Sequence, residues 1–123
     1  MDTRTKILSR AADLPPAERL VLVTGHFDVI RADHVREFAK ARETAGDSTL
    51  VAVVVEGPEA LLPMSARGEL VAAIRMVDYV LTAANEDVEV LIETLKPAAV
   101  VRLESDDARR LSALKEHVHR RQS

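Results

Sequence analysis

The chain predicts an α/β sandwich of three layers built on a parallel sheet, and three observations predict it. Short Val/Leu-rich runs alternate strictly with longer stretches of helical periodicity across 123 residues; 47% of the residues are apolar, yet only two Phe and one Tyr are among them; and no cysteine occurs. Strict alternation of strand and helix calls for parallel strands joined by right-handed crossovers, with helices on both faces. A core drawn from Ala, Val, Leu and Ile suits helices packed on such a sheet. At this length a single domain, residues 1–123, buries roughly two-thirds of the surface that its unfolded form exposes, so neither metal nor disulfide is needed to hold it together.

The elements follow in order. An N-terminal helix carrying Ile7, Leu8 and Ala11 is expected ahead of Pro15-Pro16. The runs at 20–24, 50–55, 79–82 and 98–102 read as short strands buried on both faces. Between the first two, a helix over 34–45 is expected to turn Val35, Phe38, Ala39 and Ala45 inward, with Gly46 as its stop. A second helix, 67–77, carries Leu70, Val71, Ile74 and Val77 on one stripe. A third, 86–95, carries Val88, Leu91, Ile92 and Leu95, and Pro97 blocks its continuation. A last helix over 106–120 directs Ala108, Leu111, Leu114 and Val118 to the core.

Charge and hydropathy exclude whole classes of function. Twenty acids against 17 Lys and Arg leave a net charge of −3, and the basic residues cluster only at His117, His119, Arg120 and Arg121. Nonspecific phosphate binding needs a basic patch, so nucleic acid is not an expected partner. The apolar runs fall far short of the roughly 18 residues that cross a membrane, so no membrane association is expected either. The first six residues mix charges and carry no apolar stretch, so no signal peptide is read and a cytoplasmic location is expected. Without cysteine there is no thiolate zinc site and no thiol nucleophile.

Ligands of open parallel sheets sit at the carboxyl ends of the strands, where the strand order reverses. The loop after the first strand, Val23-Thr-Gly-His-Phe-Asp-Val-Ile-Arg-Ala-Asp-His, turns from strand into helix with Gly25 at the bend. Free backbone N–H groups and the positive end of a helix dipole make such a junction a natural anion site.

Here the sequence resembles the cytidylyltransferase-like nucleotidyltransferases, whose signature is Gly-x-Phe-Asp-x-x-His-x-Gly-His running into a helix; Gly25, Phe27, Asp28 and His34 match it. The likeness extends over Lys6-Ile-Leu-Ser, the strand 50–55, the helix 67–75 and Met76-Val-Asp-Tyr-Val-Leu. It implies a Rossmann-like fold with sheet order 3-2-1-4. It also implies binding of a nucleoside triphosphate with Mg2+, attack of a substrate phosphate on the alpha phosphorus, and release of pyrophosphate. Positioning and electrostatics then supply most of the rate. On this resemblance Arg31 and His34 occupy the catalytic positions, Gly25, His26, Phe27, Asp28, Arg67 and Arg102 the ligand-binding ones, and no resident metal is implied.

The charge pattern departs from the signature. Arg31 stands where the first signature His is expected; it binds phosphate but exchanges no proton near neutral pH. Asp33 stands where the Gly is expected, placing a carboxylate where it can cap the N–H groups that a phosphate needs. The stretch 56–66 holds two acids and no Lys or Arg, and 103–107 reads Leu-Glu-Ser-Asp-Asp where a Gly- and Asp-containing turn is expected. The family's last strand and Ser/Thr-rich phosphate motif are not found. Among the crevice candidates five bases, His26, Arg31, His34, Arg67 and Arg102, face seven acids, Asp28, Asp33, Glu56, Glu59, Glu104, Asp106 and Asp107.

Each candidate has a plainer reading. His34 binds phosphate or bonds the loop from the first helical turn; His26 replaces the missing imidazole or lies half exposed. Asp28 accepts backbone N–H bonds and holds the turn. Arg67 faces the crevice or pairs on the surface with Glu69. Arg75 and Asp78 read as structural. Leu61 and Leu62 lie between Pro58 and Pro63, Met64 follows directly, and the three suit a contact with a second subunit. The expected function is therefore a family domain with weak or lost nucleotidyl transfer that binds a small phosphorylated ligand or nucleotide, or a protein, as a homo-oligomer. The rival is an active transferase acting on a phosphorylated sugar or polyol.

Overall fold

The computed structural model describes residues 2–15, 19–28, 30, 32–57 and 61–104. Four strands, β1 (Leu20–Gly25), β2 (Thr49–Val55), β3 (Tyr79–Ala83) and β4 (Ala99–Arg102), form one sheet in the order β3-β2-β1-β4. Every pairing is parallel, with Gly25 opposite Val54 and Thr24 opposite Arg102. Three helices connect them: α1 (Ala32–Ala45), α2 (Met64–Ala72) and α3 (Val88–Leu95). The expected fold class and strand order are both observed. The helix expected over 106–120 lies outside the described residues, as does Arg31.

Because side chains alternate along a strand, each strand feeds two layers. Val21, Val23, Leu50, Ala52, Val54 and Val80 pack with Phe38 and Ala41 of α1 and Val71 of α2. On the opposite face Leu22, Val51, Val53, Val55 and Leu81 pack with Val88 of α3. The chain thus begins in the sheet's interior at β1 and moves outward to β3 under α1 and α2. It then returns beneath the other face through α3 to β4. Moving out on one face and back on the other keeps the crossovers of one hand, as the right-handed rule requires. The direction reverses between β1 and β4, the position at which sheets of this kind open a ligand crevice.

Three expectations are corrected. The inward face of α1 is His34, Phe38, Ala41 and Ala45, while Val35 is 42% exposed and Ala39 also faces solvent. Phe38 stacks on Phe27, with ring centroids 5.6 Å apart, and this fixes the rotation of the helix. At 3.6 residues per turn, Val35 and Ala39 then sit roughly a quarter to a third of a turn from the buried face. Substituting Val35→Lys should change stability by no more than about 0.5 kcal/mol. Ala41→Lys should cost about 3 kcal/mol or more, because it forces a charge into filled space. Urea unfolding of the two variants checks this, and equal costs would place the seam where the sequence reading put it.

The second correction concerns Leu70, which is exposed while Val71, Ile74 and Val77 are buried. Regular helix ends at Ala72, and tighter turns carry Ile74 and Val77 inward. The third concerns the N-terminal segment, which is two 3-10 turns, Thr3–Lys6 and Ala11–Asp13, in place of one helix. Between them Ile7 bridges Val80 of β3, and the Leu8 N–H donates to the Val80 carbonyl at 2.9 Å. An edge strand offers unpaired backbone groups, and three apolar positions are too few to hold a helix against that competition.

Candidate functional site

The carboxyl ends of β1 and β2 and the entry to α2 are tied into one unit by three side chains. Arg67 sits in the first turn of α2, is only 2% exposed, and spends its guanidinium on main-chain carbonyls. Its Nη1 donates to the carbonyls of His26 (2.9 Å) and Val55 (3.1 Å), and its Nε donates to that of Leu62 (3.1 Å). The three acceptors come from three separate segments, so this one cation clamps the exits of β1 and β2 to the start of α2. The surface pairing with Glu69 that the sequence left open is not formed.

Asp28 holds the same loop from the other side. Its Oδ2 accepts the Leu61 N–H at 2.6 Å and its Oδ1 accepts the Leu62 N–H at 2.7 Å. The expected structural role is observed, but the amides it holds lie 33 and 34 residues away rather than in its own turn. Leu61, pinned by its backbone, leaves its side chain 58% exposed.

His26 completes the clamp. Its Nδ1 lies 3.0 Å from the Val55 carbonyl. A carbonyl only accepts, so Nδ1 carries the proton in that bond. The imidazole lies against Gly57, where a Cβ would come within 3.2 Å of Nδ1, so only glycine admits the ring this close without displacement.

Phe27, between His26 and Asp28, has φ +50°, a left-handed conformation that is costly for a bulky residue. Its fully buried ring is held by Phe38 and, edge-on at 5.7 Å, by His34. His34 is in turn only 1% exposed. Asp33, in the first turn of α1, gives its carboxylate to the Arg36 guanidinium one turn along.

At the exit of β4, Arg102 is paired with Glu89, from the first turn of α3, and its Nε lies 3.8 Å from Glu104 Oε2. The bond to Glu89 comes first in raising the guanidinium above its ordinary value, so Arg102 stays charged at every accessible pH. Among the described residues, two oxygens near it are buried without a hydrogen-bond partner, Thr24 Oγ1 and Glu104 Oε1. Thr24 carries no signal in the sequence, because its burial follows only from the register that sets it opposite Arg102.

An open polar cleft of about 700 Å³ lies at the other end of the sheet, beside the first residues of β2 and β3. It is a structural feature. Arg42 there is committed to the carbonyls of Ser48 and Met76 and to Asp78, whose Oδ2 also caps the Leu50 N–H. Among the described residues no group of three or more potential metal ligands gathers, and no helix is long and apolar enough to cross a membrane.

A parallel sheet ordered 3-2-1-4, with a Gly-x-Phe-Asp loop at the end of its first strand, is a Rossmann-like α/β domain. The chain is 33% identical over 93 residues to the bifunctional protein HldE of Alcanivorax borkumensis, and 33% identical over 85 residues to FAD synthase of Ferroglobus placidus. It belongs to the cytidylyltransferase-like nucleotidyltransferase family. Those matches take in 69% and 65% of this chain, but only 19% and 55% of the respective relatives. The fold is also that of the lipopolysaccharide core biosynthesis protein from Thermoplasma volcanium, with TM-score 0.60 and 22% identity over 67% of this chain and 71% of that one. No family model matches the chain.

Proposed function

We propose that this chain is a ligand-binding member of its family in which nucleotidyl transfer is weak or lost, and that its crevice takes a small phosphorylated molecule or nucleotide. The observation that carries the reading is the commitment of the local cations. Arg67 is buried on three carbonyls and Arg102 is held by Glu89 and Glu104. His34 lies behind the Phe27 ring at 1% exposure. A triphosphate carries several negative charges, and transfer at its alpha phosphorus depends on preorganised cations aimed at the developing charge. Leu61 and Leu62, exposed on a loop that Asp28 fixes, support the protein-interaction side of the same reading.

The rival reading is an active transferase joining a nucleotide to a phosphorylated sugar or polyol. There Arg31 and His34 would meet the phosphates, and Mg2+ would arrive bound to the triphosphate, as this ion does when it keeps few protein ligands. Thermal shift with ATP or CTP and Mg2+, alongside pyrophosphate release over sugar and polyol phosphates, separates the two. We expect weak stabilisation by nucleotide and no release above background. Glu89→Gln, by unloading Arg102, should tighten nucleotide binding several-fold, as should Arg31→His with Asp33→Gly. Turnover that disappears in Arg31→Ala or His34→Ala overturns the proposal.

A further inference from the structure

We infer, on the reading that this chain binds a phosphorylated molecule, that the Arg102–Glu89 pair is an autoinhibitory tie between β4 and α3: an anion that takes Arg102 displaces Glu89 and loosens the first turn of α3. Occupancy of the β4 exit is thereby read on α3.

Two acids flank Arg102, and only one of them can give way. The Glu104 side chain is 16% exposed and stays within the fold, 3.8 Å from Arg102 Nε. Glu89 is 68% exposed and Arg102 48%, so their pair opens to water without disturbing the core. A phosphate brings more than one negative charge to the guanidinium and bonds it in bidentate fashion, whereas Glu89 brings a single charge. Two anions on one cation repel each other, and Glu89 is the weaker competitor.

The helix at the other end of the tie is poorly anchored. Its eight residues fall short of the roughly 12–15 at which an isolated helix begins to hold itself. Asp87, the N-cap, supplies no side-chain bond, and Val88 is the buried residue of α3. Leu91, Ile92 and Leu95 are half-buried against the sheet, while Val90 faces solvent. Thr94 turns its hydroxyl back on the Val90 carbonyl of the same helix. Among the described residues, this leaves Glu89–Arg102 as the side-chain bond that joins α3 to the sheet. The C-terminal end is closed separately, by the Lys96 N–H on the Ile92 carbonyl at 3.0 Å, so release at Glu89 is felt first in the opening turn.

Such coupling is reciprocal. The factor by which breaking the tie tightens anion binding is the factor by which a bound anion favours opening of α3. An ion pair whose partners are both about half exposed contributes modestly, so a change of about two- to fivefold is expected in each direction. Each N–H of an α-helix donates four residues back, which makes the amides of Ile92 and Glu93 the reporters of the first turn.

Inorganic pyrophosphate is the probe, titrated into the full chain at constant ionic strength so that salt screening stays fixed. NMR follows two signals, the Arg102 Nε–H and the hydrogen-exchange rates of the Ile92 and Glu93 amides. Pyrophosphate should shift the first and speed the exchange about two- to fivefold. In Glu89→Gln the exchange should start at the raised level and no longer respond. Glu86→Gln removes a neighbouring exposed acid that makes no bond to Arg102, and it should respond as the wild type does. An Arg102 signal that moves while the amide rates stay put overturns the tie and leaves the binding reading standing. Acceleration that persists in Glu89→Gln, or is lost in Glu86→Gln, overturns it as well. An Arg102 signal that pyrophosphate does not move overturns both the tie and the binding reading.

Discussion

Arg67→Ala should lower the stability of the domain by about 3–5 kcal/mol, with Tm falling by roughly 10–20 °C. The substitution removes a guanidinium that is 2% exposed and leaves the carbonyls of His26, Val55 and Leu62 without their donor. Hydrogen bonds from a charged donor contribute about 1.5–3 kcal/mol each, and a buried acceptor left unpaired costs further. Arg67→Lys should recover little, since an ammonium is a point donor that cannot reach carbonyls spread around a planar fork. Urea unfolding with unchanged m-value is the measurement. A loss below about 1 kcal/mol would mean that water replaces the clamp readily, and that Arg67 is available to a ligand after all.

The second large effect is expected at Asp28, and it is local before it is global. Asp28→Ala removes the acceptor for two amides of the loop between β2 and α2, at a cost of about 2–4 kcal/mol. Hydrogen exchange at Leu61 and Leu62 should accelerate by about thirtyfold or more, the factor that roughly 2 kcal/mol of lost local protection represents. Asp28→Asn keeps one acceptor oxygen and should fall midway, because its NH2 meets the second N–H as donor against donor. Exchange rates that stay at the wild-type level would show the loop to be held by its other contacts, with the Asp28 bonds following rather than setting its position.

Both predictions express one property of the site. Residues that the family resemblance assigns to ligand binding are used here to build the loops: Arg67 and Asp28 fix backbone, and His26 covers Gly57 and bonds Val55. Among the described residues, Thr24 Oγ1 and Glu104 Oε1 are buried acceptors without a partner, at the β1/β4 reversal.

The sequence by itself determined the strands, because runs such as Leu50-Val-Ala-Val-Val-Val have no other stable use than burial on both faces of a parallel sheet; β4, expected to be buried in the same way, lies at the sheet edge with no buried residue. It determined the stop of α1 at Gly46, whose φ of +60° suits glycine, and the hydrogen-bonding task of Asp28, since a carboxylate after Gly25-His-Phe has backbone amides as its natural partners. It could not determine which carboxylates meet which cations. The rotation of α1 was decided by Phe38 meeting Phe27 across the layer, a contact that the Ala-rich pattern of 32–45 leaves ambiguous. The fate of Arg67 was decided by carbonyls 5, 12 and 41 positions distant in the chain. Hydrophobic periodicity is a local property written every two or four residues, whereas the partner of a buried charge depends on how separate segments converge. Only the folded arrangement contains that information.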